Sequence, residues 1–507
     1  MIDTDIAGKT VIVGLGKTGL SCARFLAQRG EPFVVVDTRQ SPPALAELLT
    51  LVPDVDCYLG GLEPFVFEQA DRIIVSPGIS VKESVIAKAK LNGAEVIGDV
   101  VLFAHYADAP IVAITGSNGK STVTTMLAEM AKQAGLYVEV GGNLGTPVLD
   151  LLSRSSTPLP DAGAEKNSVE KPAYYIVELS SFQLETTANL NALAAVVLNI
   201  SADHMDRYRD LQEYRMAKRK IYNGCTTLVV NRDDPDVMGI LQDYLNSAGE
   251  MSASARKQGE VIISFGLSQP NTVAFDSPRT GSLHTGSLHT DSLHTGLQRP
   301  GSQHFGLLSK EGRQYLAKGD QYLMPADEMR LPGRHNIANA LAALALGDAL
   351  QLPEDSMLSA LRQYPGLPHR TEWVATINGV KWYNDSKGTN VGATVSAIIG
   401  MPGSKVLIAG GDGKGADFTP LREVIIANNV HLVILIGKDA PAIKDVLFGV
   451  VQVELTNTLE AAVKLACSLS SDGDSVILSP ACASFDMFKD YQHRGDVFIS
   501  AVRNLPL

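Results

Sequence analysis

Nowhere in this chain of 507 residues do 18 apolar residues run together, so no transmembrane helix is expected. Cysteine is scarce. Cys22, Cys57, Cys225, Cys467 and Cys482 are scattered, odd in number and never spaced C-x-x-C, which argues against a disulfide framework. Basic charge is also short. Lys and Arg total 43 against 55 Asp and Glu, a formal net charge of −12, which excludes broad binding to nucleic acid or an acidic membrane surface. Local basic sites for small phosphorylated ligands stay compatible with that balance. The N-terminal run MIDTDIAGKTVIVG lacks the basic region of a secretory signal, so the expected compartment is the cytoplasm.

Short Val/Ile runs, by contrast, recur along the whole chain. TVIVGLG (10–16), FVVVD (33–37), RIIVSPG (72–78), PIVAITG (110–116) and YYIVELS (174–180) are followed by LAAVVLNIS (193–201), TLVVN (227–231), KVLIAGG (405–411), LVILIG (432–437) and SVILSP (475–480). Runs of this kind, alternating with helical patterns, predict parallel strands in βαβ units and hence an α/β fold. Ligands of such folds bind beyond the carboxyl ends of the strands. The length is too great for one core, and the runs fall into three groups, 1–98, 99–366 and 367–507. NALAALALGDAL (339–350) is expected to be a buried helix late in the second group, and YPGLPHR (364–370) a turn-rich link to the third. Two stretches read as insertions: 153–172, and a region of about 270–305 around the repeat GSLHTGSLHTDSLHTG (281–296). Its His284, His289 and His294 fit a flexible segment better than a metal site, because the repeat carries one large apolar residue in five.

GLGKTG (14–19) satisfies G-x-G-x-x-G after a strand, with Asp37 closing the next strand, and suits a diphosphate-containing ligand. TGSNGKST (115–122) resembles a phosphate-binding loop without its first glycine, since Ile114 stands where that glycine would be. Gly116 and Gly119 can expose amides, Lys120 can neutralise phosphate, and Ser121 or Thr122 can reach Mg²⁺. Another acidic ligand should sit at a nearby strand end. Glu178 is placed for this, and Asp203, His204 and Asp206 close another strand. EYRMAKRK (213–220) reads as an exposed basic helix face. YNDSKGTN (383–390), GGDGKGADF (410–418) and SPACASFDMFKDY (479–491) suggest a shared ligand site in the third group. These features support a diphosphate compound on the first domain and Mg-ATP on the second. A dinucleotide-dependent dehydrogenase leaves the second loop without a task, and a nucleotide-driven switch predicts ATP hydrolysis that depends on no amino acid.

TGSNGKST with ELSSFQLE, DHMDRY, NDSKGTN, GGDGK and SPACASFD resembles the Mur ligase family of peptidoglycan synthesis, over nearly the whole chain. NDSKGTN and SPACASFDMF point to its D-glutamate-adding branch, with another amino-acid acceptor as the alternative. The resemblance implies a Rossmann-like UDP-binding domain, a central P-loop ATPase-like domain and a Rossmann-like C-terminal domain for D-glutamate, in a monomer. It implies that the carboxylate of UDP-MurNAc-L-Ala attacks the γ-phosphate of ATP, and that the amine of D-glutamate displaces phosphate from the acyl phosphate. Lys17, Thr18, Asp37, Thr38 and Arg39 would hold the UDP moiety, with Gly78 and Asn143 along the sugar. Gly116, Ser117, Asn118, Gly119, Lys120, Ser121 and Thr122 would surround the triphosphate, with Asn339, Arg370 and Asp385 completing the ATP site. Ser121 and Glu178 would hold one Mg²⁺. His204 and Lys218, the latter as a carbamate, would serve a second. Lys120, His204, Lys218 and Arg370 are the implied catalytic set. Lys387, Thr389, Lys414, Ser484 and Phe485 would surround D-glutamate, and Tyr491 stands where the pattern leads one to expect phenylalanine.

Overall fold

A computed structural model describes residues 6, 8–154, 171–205, 207–250, 261–270, 304–331, 333–401 and 403–505. The histidine repeat (281–296), most of 153–172 and Asp206 lie outside the described residues.

Three sheets carry the chain. The first holds β1 (Thr10–Val13), β2 (Phe33–Asp37), β3 (Cys57–Leu59), β4 (Arg72–Val75) and β5 (Glu95–Ile97), all parallel, in the order β3-β2-β1-β4-β5. TVIV is buried at all four positions of β1, as a central strand covered on both faces requires.

The second sheet holds β6 (Ile111–Thr115), β7 (Val138–Gly142), β8 (Tyr174–Glu178), β9 (Ala194–Val197), β10 (Thr227–Asn231), β11 (Val261–Phe265), β12 (Phe305–Lys310), β13 (Arg313–Lys318) and β14 (Gln321–Pro325). Its order is β14-β13-β12-β11-β10-β9-β6-β8-β7, parallel from β7 through β12 and antiparallel across β12-β13-β14. The Ala/Leu-rich helix runs from Arg334 to Ala349 and is buried without a break from Asn339 to Gly347. It packs with the helix Lys120–Gln133 in the hydrophobic cluster on one face of this sheet. A helix this apolar all round must be buried.

The third sheet holds β15 (Glu372–Ile377), β16 (Val380–Asn384), β17 (Lys405–Gly410), β18 (Val430–Ile436), β19 (Gln452–Leu455) and β20 (Ser475–Leu478), in the order β15-β16-β20-β17-β18-β19. Only β15 runs antiparallel to its neighbour. No helix among the described residues is long and apolar enough to cross a membrane.

Candidate active site

Most of the sequence-selected residues stand at or just past the carboxyl end of a strand, with Lys218, Asn339, Arg370 and Tyr491 the exceptions. In the first sheet the adjacent strands β2, β1 and β4 end at Asp37–Arg39, at the GLGKTG turn and at the loop containing Gly78. Gly19 packs so tightly that a Cβ there would lie 1.9 Å from the Gly14 carbonyl oxygen, which is why the third glycine of the motif is needed. Lys17 and Thr18 open the helix Lys17–Gln28. Lys17, Thr38, Arg39, Gly78 and Asn143 lie on exposed surface. Asp37 does not. Its carboxylate accepts from the Leu15 amide at 2.7 Å, the Arg39 amide at 2.9 Å and the Arg39 guanidinium at 2.8 and 2.6 Å. A carboxylate offers about four acceptor positions, and here protein donors take them all. Burial alone would raise its pKa, but these bonds outweigh it and hold the group at about 2. In the chain as described, Asp37 thus braces the loop after β1 and holds Arg39 beside it.

In the second sheet the neighbours β9, β6, β8 and β7 end at Asn199–His204, the phosphate loop, Glu178 and Asn143. Gly119 caps the helix Lys120–Gln133 with φ 82°, in the left-handed region that favours glycine, and a Cβ there would meet Asn339 Oδ1 at 2.4 Å. The helix therefore starts with its amides and its positive dipole end open toward the loop. Ser117 Oγ donates to the Ser201 carbonyl, and the Asn118 amide donates to Asn199 Oδ1 at 2.8 Å, fixing the loop against the end of β9. Lys120 Nζ folds back to donate to the Gly116 and Ser117 carbonyls, both at 2.8 Å. Ser121 Oγ donates to Glu178 Oε2 at 2.6 Å, and Asn143 Nδ2 holds Glu178 Oε1 at 2.8 Å.

Lys218 overturns the reading of EYRMAKRK as a solvated face. It lies near the end of the helix Leu211–Arg219 with 1% of its surface exposed, over the Tyr214 ring. Its Nζ donates to the Gly116 carbonyl at 2.9 Å. Burial, and then the neighbouring Lys120, push its pKa well below the usual lysine value, toward a neutral amine. His204 occupies the left-handed region at φ 58°, lies tilted against Phe182 at 4.6 Å between centroids, and has its amide held by Asp203 Oδ1.

The third sheet brings β16, β20 and β17 side by side, so NDSKGTN, SPACASFD and GGDGK share one rim. Asp385 Oδ2 accepts from Ser479 Oγ at 2.7 Å, and its Oδ1 from the Thr371 amide. Burial raises this carboxyl to about 6. Lys387 Nζ lies 4.1 Å from the Tyr491 ring centroid, and burial followed by Arg370 and Lys120 lowers it to about 8. Tyr491 thus keeps an aromatic ring beside Lys387, at the position where the pattern leads one to expect phenylalanine. Thr389 follows in the same turn, its amide bonded to the Lys387 carbonyl. Lys414 is exposed, and its Nζ lies 5.9 Å from the Phe485 ring. Ser484, next to Phe485, is buried.

These rims face each other. Arg370 donates to Ser121 Oγ at 2.6 Å, and Asn390 Nδ2 reaches Asp203 Oδ2 at 3.3 Å and Asn118 Oδ1 at 3.4 Å. Between them lies a cleft of about 890 Å³ that gathers Asn118, Gly119, Thr122, Asn339, Arg370, Asp385 and Lys387. Lys414, Ser484 and Phe485 are not part of its lining. Sequence reasoning missed Asn336, His335 and Thr371 on its wall, and Asn390 across the seam. Asn336 and Asn339 share one helix face three residues apart, a spacing that could have singled out the first once the second was chosen.

Ser121 and Glu178 form a hard-oxygen pair that fits one Mg²⁺, which commonly takes one or two carboxylates and completes its shell with phosphates and water. Among the described residues no group of three His, Cys, Asp or Glu side chains could hold a metal alone. His204 and an unmodified Lys218 offer no anionic oxygen, so as they stand they do not fit a second Mg²⁺.

Residues 8–98 match the Mur ligase MurD-like N-terminal domain, 114–293 the Mur ligase middle domain, and 369–482 the Mur ligase glutamate ligase domain. The UDP-N-acetylmuramoylalanine--D-glutamate ligase of Nitrosococcus oceani is 46% identical over 506 residues, covering 99% of this chain and 98% of its own. That of Pseudomonas aeruginosa is 44% identical over 499 residues, at 98% of each. Among solved structures, MurF from Acinetobacter baumannii aligns with a TM-score of 0.55 at 15% identity, over 100% of this chain and 93% of that one. The UDP-N-acetylmuramate-alanine ligase MurC of Thermotoga maritima aligns at 0.54 and 17%, over 98% and 99%. The two structures share the fold, and the full-length sequence relatives carry the assignment further: this chain belongs to the Mur ligase family.

Proposed function

We propose that this chain is an ATP-dependent ligase that adds D-glutamate to UDP-MurNAc-L-Ala in peptidoglycan synthesis. The observation that carries the reading is Arg370 of the third domain bonded to Ser121 of the phosphate loop at 2.6 Å. It supports the reading by joining the phosphate loop to the third domain beside one cleft.

In this reading the amides of the phosphate loop and Lys120 grip the triphosphate, with Lys120 leaving the two carbonyls that hold it in the free chain. Arg370 lies where charge builds on the transferring phosphoryl group. The UDP moiety lies along Lys17, Thr18, Asp37, Thr38 and Arg39, and its sugar passes Gly78 and Asn143 toward His204. The carboxylate of the L-alanyl group attacks the γ-phosphate, which gives an acyl phosphate and ADP. The amine of D-glutamate, positioned by Lys387, Thr389, Lys414 and Ser484 with Phe485 and Tyr491 beside them, then attacks the acyl carbon. The amide bond forms, the amine gives up a proton, and phosphate leaves. Positioning and charge neutralisation supply the rate, as in phosphoryl transfer generally.

Ser121 and Glu178 would hold one Mg²⁺, and His204 with a carbamylated Lys218 a second. Bound magnesium supplies neutralisation of the phosphate charge. Lys218 suits carbamylation because a neutral amine is the form that adds to CO₂, forming an N–C bond and releasing one proton. Phosphate release measured with each component omitted in turn tests the function. Release is expected only with ATP, UDP-MurNAc-L-Ala and D-glutamate together. Release indifferent to D-glutamate would remove the acceptor assignment.

A further inference from the structure

Arg207, in the DHMDRY run, has no task in the reaction above, yet its guanidinium is used almost completely. Nε and one terminal nitrogen donate to the two Glu185 oxygens at 3.1 and 2.7 Å. The other terminal nitrogen donates to the Pro77 carbonyl and the shared one to the Ile79 carbonyl, both at 3.1 Å. Those carbonyls flank Gly78, in the loop beyond β4 of the first domain, whereas Arg207 and Glu185 belong to the second. The guanidinium carbon also sits 4.4 Å from the Phe182 ring centroid, and the His204 imidazole lies 4.6 Å from that same ring. The Arg207 amide donates to the His204 carbonyl at 2.9 Å, and His204 lies in the left-handed region at φ 58°.

An ordinary surface ion pair contributes little. This pair is different because both side chains are about 15% exposed or less, and because the planar fork serves a carboxylate, two carbonyls and a ring at once. One residue thus connects a loop of the UDP-holding domain to the segment bearing His204. We propose that Arg207 is a positioning residue for the UDP-linked substrate. It sets the separation between the Gly78 loop and the His204 turn, so that a substrate anchored on the first domain delivers its carboxylate to the phosphate loop of the second. The proposal rests on the function given above. It makes a specific demand: Arg207 matters to one substrate of three.

Kinetics and calorimetry on the full chain test it. Arg207→Ala is expected to lower kcat/KM for UDP-MurNAc-L-Ala about 100-fold, the effect of an ångström-scale misplacement. Its KM for ATP and for D-glutamate should stay within about twofold, and binding of UDP-MurNAc-L-Ala by calorimetry should weaken about tenfold. Arg207→Lys keeps the charge but not the fork, so it should recover less than about tenfold of the loss. Glu185→Gln, which leaves Arg207 in place and weakens one arm, should shift the same parameter in the same direction by about threefold, and it decides the matter if Arg207→Ala does not fold. An unchanged parameter for the UDP substrate, an equal loss for all three substrates, or full rescue by lysine would overturn the proposal. Lack of D-glutamate-dependent turnover in the unaltered chain would instead strike the function itself.

Discussion

Between the first and second domains, Leu20, Phe25 and Leu26 share one hydrophobic cluster with Phe103, Val148 and Leu149. Between the second and third, no hydrophobic cluster crosses among the described residues. The crossing hydrogen bonds include Arg370 to Ser121 and Asn390 to Asp203 and Asn118, beside the 890 Å³ cleft, and the helix Arg334–Ala349 meets the helix Val391–Gly400 there. Separating the first seam would expose apolar surface, whereas separating the second exchanges polar contacts for water at small net cost. The linker entering the third domain is also bent, with His369 and Thr371 both in the left-handed region. One seam fixes the substrate platform. The other is crossed by hydrogen bonds and no apolar cluster among the described residues, so a rigid-body movement about the short link costs least there.

The comparison predicts that polar residues near the cleft govern rate and that apolar residues at the first seam govern stability. The largest effect is expected at Lys218. Lys218→Ala should lower activity about 1000-fold, with partial recovery on adding short carboxylic acids, and should leave the melting temperature unchanged or higher because a buried amine is removed. A fully active variant would end the carbamate assignment. Arg370→Lys keeps one charge but loses the fork, and should cost about 100-fold in kcat with little change in thermal unfolding. Parallel loss of rate and stability would make Arg370 a staple instead. Leu149→Ala, at a site 1% exposed, should invert that pattern. It should destabilise the protein by about 2–4 kcal/mol, while the folded fraction keeps its KM for ATP. A shifted ATP constant would show that the two seams are not independent.

The smallest effect concerns pH. Asp385 is raised in the folded state to about 6, against about 3.9 for an unperturbed Asp. A raised carboxyl contributes stability that is present below the unfolded value and is lost as pH rises through the folded one. Relative to Asp385→Asn, the unaltered chain should therefore lose on the order of 2 kcal/mol between about pH 4 and 6 and hold level above. Denaturant unfolding of both proteins across that range checks the sign.

Strands buried on both faces were easy to read, because runs such as TVIV and AAVV have no other use. The hairpin β15–β16 is equally legible in the sequence, although it lies outside the Val/Ile runs. EWVATINGVKWYN places Asn378-Gly379 between two β-rich runs, both with positive φ in the structure, the strongest short-range hairpin signal. The antiparallel addition β12-β13-β14 was harder, since FGLLSK and RQYLAK carry their charge at strand ends and show little alternation. Within the site, the phosphate loop, Glu178 and Asp385 followed from motif and strand end. Lys218 did not. Its helix looks solvated by composition, and only the packing of Tyr214 and the loop carbonyls around one lysine sets it apart. Arg207 escaped for a related reason: its partners Pro77, Ile79 and Glu185 are over 100 or about 20 residues away, and a guanidinium's fork has no local pattern.

The most direct measurement of the central claim is mass analysis of the UDP-linked product after incubation with ATP, Mg²⁺, UDP-MurNAc-L-Ala and carbon-13-labelled D-glutamate. The account predicts one labelled residue added per phosphate released, and none from labelled L-glutamate. Phosphate release without incorporation, or equal incorporation of the two enantiomers, would contradict it.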